Sequence, residues 1–133
     1  MTDREKREAK ALAIVRRMQP KDEDPKHTFE GTSQNGSCIY FIYCAGRIKI
    51  GRTSDIVRRL PDLVTPFPTT LLLMVPGGPD EEMDFHNQFA CDRAHREWFR
   101  LSRDLRKFLL KRLKPKTARL LEGAEAAFQK HVS

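Results

Sequence analysis

Long apolar runs are missing from this chain of 133 residues. No stretch approaches the roughly 20 consecutive apolar residues that a membrane-crossing helix needs, so no membrane partner is expected. Cysteine is scarce: Cys38, Cys44 and Cys91 form an odd set of three that does not suit a disulfide framework. No apolar run follows a basic start at the amino terminus, so the chain is expected in the reducing cytoplasm rather than outside the cell. Repeats and low-complexity blocks are absent. What is left is long enough to bury a core without disulfides or a structural metal.

Acidic residues are in short supply as well, 18 Asp+Glu against 25 Lys+Arg, for a net charge of +7. The excess is unevenly spread. Residues 38–99 hold 7 Lys+Arg and 8 Asp+Glu, which is nearly neutral, whereas residues 100–133 hold 10 and 3. A concentration of that kind implies a polyanionic partner, with DNA expected first and RNA second.

Cys38 to Cys44 is rich in β-branched and aromatic residues, Ala45-Gly46 suits a tight turn, and Arg47 to Ile50 alternates charged and apolar side chains. Together they read as a β-hairpin. With a two-residue loop, Cys44 faces Arg47, Ile42 faces Lys49 and Tyr40 faces Gly51, so Tyr40 and Lys49 share one surface as a diagonal pair. A glycine opposite Tyr40 is expected to leave its phenol uncovered. Thr53, Ser54 and Asp55 can cap a helix with Ile56, Val57 and Leu60 on one face and Arg58 and Arg59 on the other, kinked or cut short by Pro61. Thr69 to Val75 reads as a buried third strand, ended by Pro76-Gly77-Gly78-Pro79.

Asp80 then caps a helix whose Met83, Phe85, Phe89 and Ala90 seek the core, with Glu82 and His86 one turn apart on a common face. Glu97 to Leu101 is expected to be extended. Ser102 caps a helix from Arg103 to about Leu113, and Pro115 opens a last one. Residues 3–18 form an amphipathic helix with Ala11, Ile14, Val15 and Met18 on its apolar face, and residues 19–37 read as a linker. The expected class is therefore α+β, divided into an amino-terminal helix and linker (1–37), a central unit (38–101) and a basic helical extension packed on it (102–133).

A strand with C-I-Y, a second with K-I-G-R-T, a helix with paired arginines, a helix with E-x-x-F-H and a closing E-W-F occur here in one order. In that order they resemble the GIY-YIG endonucleases, most closely a small phage-associated branch. The resemblance covers about residues 38–101. It implies a small three-stranded antiparallel sheet flanked by helices, and hydrolysis of phosphodiester bonds in DNA with Mg2+ or Mn2+. By position it assigns catalytic roles to Tyr40, Lys49, Arg59 and His86 and a metal-holding role to Glu82 or Glu97. Lys49 stands where most members have tyrosine, Cys38 replaces the first glycine, and Arg96 replaces a glycine before E-W-F.

The chemistry of these groups agrees with that assignment. A phenol, with a pKa of about 10, is a poor base at neutral pH, and a nearby ammonium favours its phenolate. A guanidinium and a divalent ion both stabilise the charge that develops on phosphate oxygens. Magnesium keeps most of its waters and needs only one or two carboxylates. Glu82 is preferred to Glu97, because a helix fixes a carboxylate better than a loop does and sets it beside His86. Arg52, Arg58, Lys107, Lys111, Arg112, Lys114 and Lys116 are the candidate nucleic-acid contacts. Two other readings are a zinc site joining Cys38, Cys44, Cys91 and His95, and a nucleic-acid-binding module with this fold but little or no cleavage.

Overall fold

A computed structural model of the chain describes residues 2–18, 28–54 and 68–132. The strands among the described residues are β1 (Thr28–Phe29), β2 (Cys38–Cys44), β3 (Arg47–Thr53), β4 (Thr70–Pro76), β5 (Arg93–His95) and β6 (Trp98–Arg100). The helices among the described residues are α1 (Asp3–Met18), α2 (Pro79–Gln88), α3 (Arg103–Arg112) and α4 (Pro115–Val132). The kinked helix expected after Ser54, with Arg58, Arg59 and Pro61, lies outside the described residues, as do the side chains of Ala11, Ile14, Val15 and Met18.

The class is α+β, but the three-stranded antiparallel sheet is corrected to a mixed sheet of six strands in the order β1-β4-β2-β3-β6-β5. The expected strands are its centre: β2 pairs antiparallel with both β3 and β4. The additions are two or three residues long, too short to carry any periodicity. One of them arises inside the expected linker, where Thr28 and Phe29 run parallel to Leu73 and Met74. The Thr28 hydroxyl donates to Thr117 Oγ1 at 3.1 Å and accepts the Lys114 N–H at 2.9 Å. It thus satisfies a backbone donor at the start of α4 that has no intrahelical partner.

Side chains alternate along β2, and Ile39, Phe41 and Tyr43 enter one apolar cluster with Ile48 and Ile50 of β3. Leu105, Leu109, Leu113 and Leu121 belong to the same cluster, so α3 and α4 lie over this face. The Phe41 ring meets Phe85 of α2 at 5.2 Å and Phe108 of α3 at 5.7 Å, joining both helices to the sheet. A bulge in the β2–β4 pairing, between Phe41 and Ile42, skips Leu72. Consecutive Leu72 and Leu73 then both join the cluster.

Helix starts follow local chemistry with one correction. Ser102 Oγ accepts the Leu105 N–H, as expected. The α2 cap, however, is Gly78 rather than Asp80: Pro79 takes the first helical position, where its missing N–H costs nothing, and Glu81 reaches back to the Gly78 N–H. Phe85 and Phe89, one turn apart, pack, while Met83 and Ala90, expected in the core, are exposed. Helix α1 is tethered through Glu8, whose carboxylate accepts both the N–H and the hydroxyl of Thr32, and through Arg7, which donates to the Asn35 carbonyl.

Leu121 is fully buried although it lies far along the basic carboxy-terminal segment. Leu121→Ala is expected to cost about 2–5 kcal/mol, read as a lower urea midpoint in a single transition. A loss below about 1 kcal/mol, the size of a surface effect, would show that α4 only rests on the domain.

Candidate active site

The hairpin places the candidate residues. Ala45 and Gly46 both have positive φ, 51° and 84°, the conformation that a two-residue loop needs to match strand twist. That turn sets the pairs Cys44–Arg47, Ile42–Lys49 and Tyr40–Gly51, and β3 continues to Thr53. Lys49 and Gly51 therefore share the face of Tyr40, opposite the helical core, while Ile50 and Arg52 take the core face.

Gly51 is where the backbone and a ring meet. A Cβ on it would stand 2.8 Å from Tyr40 Cε2 and closer still to Cζ and Oη. The phenol therefore lies directly on the glycine, and Tyr40 is wholly buried. This corrects the expectation that the phenol is uncovered: the glycine gives the ring a surface to lie on.

Lys49 is held from β6 and the turn before it. Its Nζ is 3.9 Å from Glu97 Oε2 and 5.7 Å from the Trp98 ring centroid, with only 16% of the side chain exposed. The Ile50 N–H donates to the Glu97 carbonyl at 2.9 Å, so this segment clasps β3 through backbone as well as charge. Arg96, where a glycine was expected, adopts the left-handed conformation with φ 53°.

On the other face α2 approaches the same stretch. Arg52 Nε is 3.8 Å from Glu82 Oε1, and the side chains are 41% and 19% exposed. His86 Nε2 is 2.9 Å from the Ile50 carbonyl, and its Nδ1 is 3.0 Å from Arg93 Nη2. A guanidinium only donates and a carbonyl only accepts, so Nδ1 is the acceptor and Nε2 carries the proton. Both ring nitrogens are thus committed, and the imidazole packs 5.1 Å from the Phe99 ring.

The structure therefore gathers Tyr40, Lys49, Arg52, Glu82, His86 and Glu97 around Lys49–Arg52, but from two sides of the sheet. The two carboxylates are each matched to a cation of β3, Glu97 to Lys49 and Glu82 to Arg52. Both contacts, Lys49–Glu97 at 3.9 Å and Arg52–Glu82 at 3.8 Å, exceed hydrogen-bonding distance, which leaves lone pairs open on each carboxylate. One open carboxylate fits a hydrated magnesium or manganese ion. Among the described residues no three His, Cys, Asp or Glu side chains converge, so a fully protein-ligated cage is not found there. The zinc arrangement fails on the same ground: Cys38 and Cys44 are buried at opposite ends of β2, and Cys91 is exposed. Burial pushes the Cys38 thiol up to about 12.

Arg58 and Arg59 lie outside the described residues. Of the basic candidates, Lys107, Lys111, Lys114 and Lys116 are exposed. Arg112 is engaged within the protein, its Nη2 2.6 Å from Glu30 Oε1 and its guanidinium 5.3 Å from the Phe108 ring centroid. Sequence reasoning missed Arg93, whose only signal was its place seven residues beyond His86. It also missed Glu30, which no local pattern links to Arg112.

Residues 37–114, more than half of the chain, match the family described as T5orf172 domain. Neither a curated protein nor a solved structure matches the chain.

The Tyr40–Gly51 contact has a sharp consequence for paired substitutions. Gly51→Ala is expected to destabilise by about 1–3 kcal/mol, because the ring must leave a packed position. Gly123→Ala, in α4 with nothing within 4 Å of the added carbon, is expected to stabilise by about 0.5–1 kcal/mol. Thermal melting of the two variants beside the parent checks both signs.

Proposed function

We propose, on the premise that the chain belongs to the T5orf172 domain family, that this protein is a divalent-metal-dependent endonuclease of GIY-YIG type that hydrolyses phosphodiester bonds in DNA. The family is phage-associated and nuclease-like. The observation that carries the reading is the gathering of candidate groups on Lys49–Arg52: Tyr40 on Gly51 with Lys49 and its partner Glu97 on one face of the sheet, and Glu82 with His86 reaching the same stretch from the other.

In this reading the Lys49 ammonium favours the phenolate of Tyr40, which accepts a proton from the attacking water. Arg59 stabilises the charge that builds on the phosphate oxygens. Glu82 would hold the metal, with Glu97, which stands on the Tyr40–Lys49 side, as the alternative. Lys49 is mostly buried and keeps Glu97 as its counter-charge, whereas the more exposed Arg52 can turn to a phosphate and release Glu82. When bound, a magnesium or manganese ion would supply Lewis acidity toward the phosphoryl and leaving oxygens. His86 acts as a bracket between α2, Arg93 and Ile50 instead of a proton shuttle. Arg52, Arg58, Lys107, Lys111, Lys114 and Lys116 contact phosphates, in DNA first and RNA second, and Arg112 does so only by leaving Glu30.

A second reading, a binding module with little or no cleavage, is favoured by one observation: the Tyr40 phenol is wholly buried. Plasmid nicking separates the two. The nuclease reading expects supercoiled DNA to be cut with magnesium or manganese and not in chelator. Tyr40→Phe and Arg59→Ala should each slow cutting by about 10²-fold or more while the protein still melts cooperatively. Glu82→Gln should lose the response to manganese and keep DNA binding in chelator. A dead Glu97→Gln beside an active Glu82→Gln would move the metal to Glu97. Parent protein that binds DNA but cuts nothing with any metal would establish the binding module.

A further inference from the structure

The formal charge of the carboxy-terminal segment overstates what a partner meets, because part of it is spent inside the protein. Arg112 pairs with Glu30, and Arg106 pairs with Glu125. Arg103, Lys107 and Lys111 differ. All three are exposed, and among the described residues none has a hydrogen-bonding or ion-pairing partner.

They are spaced four residues apart, so they rise along one face of α3 in steps of about 6 Å. Between them lies Leu110, one of the few large apolar side chains left exposed, at 39%. With Arg106, these residues line a shallow groove of about 370 Å³. Asp104, the acidic residue of the helix, stands in its first turn at the border of this face.

The direction of the face matters most. Leu105 and Leu109 point into the core against the β2–β3 face that carries Ile39, Phe41 and Ile50. Arg103, Lys107 and Leu110 stand on the far side of the helix, and Lys111 beside them. Tyr40 and Lys49 stand on the opposite face of the sheet. The row of cations therefore lies on the opposite side of the sheet from Tyr40 and Lys49.

We infer that this face of α3 is a separate docking ridge for a nucleic-acid strand, in which Arg103, Lys107 and Lys111 take successive phosphates and Leu110 packs against a sugar or base. Charge complementarity selects the occupant: a regular row of unpaired cations fits a regular polyanion, and the apolar floor fits what lies between its phosphates. The inference rests on the nucleic-acid reading above but not on catalysis. It predicts that the ridge sets affinity without touching the Tyr40–Lys49 pair.

The test is fluorescence anisotropy with labelled single-stranded and duplex DNA of one length, in chelator, over a salt series. One variant carries Arg103→Glu, Lys107→Glu and Lys111→Glu. A control of equal charge change carries Lys6→Glu, Lys10→Glu and Lys130→Glu. The ridge variant should bind at least about 10-fold more weakly than the control, and its log-log salt slope on duplex should flatten by about 2–3, at roughly 0.9 per phosphate lost. Leu110→Ala should weaken binding without changing that slope.

Equal binding by ridge variant and control, with the parent binding well, would overturn the ridge and leave the nuclease reading standing. A parent that binds no DNA overturns both. Ridge-dependent binding without any cutting upholds the ridge and removes the nuclease. Tighter, ridge-dependent binding to vesicles of anionic phospholipid than to DNA would reassign the face to a membrane surface. Circular dichroism of each variant confirms that the exposed substitutions leave the helices folded.

Discussion

Register is the constraint on which this structure depends. Strand side chains alternate with a period of two, so a slip of one residue between β2 and β3 would turn every inward group outward. The Ala45–Gly46 turn allows no such slip. Given that register, Tyr40 must lie over residue 51, and only glycine there leaves room for the ring. Lys49 is then delivered to Trp98 and Glu97, and Ile50 presents its carbonyl to His86. The candidate residues are neighbours because one tight turn sets the phase of two strands.

The parts legible in the sequence are those fixed by local rules. The hairpin and its pairings were readable because turn length determines register, and the Ser102 cap and the Pro115 start because they are written in adjacent residues. Thr70–Pro76 was readable from its continuous apolar run, and Trp98–Arg100 lies inside the segment Glu97 to Leu101 expected to be extended. Thr28–Phe29 and Arg93–His95 were not readable: they exist because a neighbouring strand offers hydrogen bonds, not because their side chains alternate. Asp80 misled for a related reason, since a good capping side chain lost to a proline already set at the first helical φ.

Site chemistry was legible at the level of residue type but not of pairing. Alternation alone put Tyr40 and Lys49 together. That the phenol is buried, that each candidate carboxylate answers a cation of β3, and that both nitrogens of His86 are engaged depend on contacts between distant segments. The same holds for the basic segment. A count of lysines and arginines cannot separate Arg112, bound to Glu30, from Lys107, bound to nothing among the described residues.

The hydroxyl of Thr28 carries a consequence in time. Its strand partner, Leu73, follows it by 45 residues, and its side-chain partner Thr117 by 89. Closing loops of that size is slow compared with forming a two-residue hairpin. As the chain leaves the ribosome, β2 and β3 can pair almost at once, whereas β1 waits for β4 and the Thr28 hydroxyl waits until α4 has begun to emerge. Until β1 docks, β4 carries an open edge along Leu73 and Met74, the kind of edge that recruits strands from other chains. The two-residue strand β1 is therefore a late seal on that edge, and its hydroxyl contact to α4 forms later still.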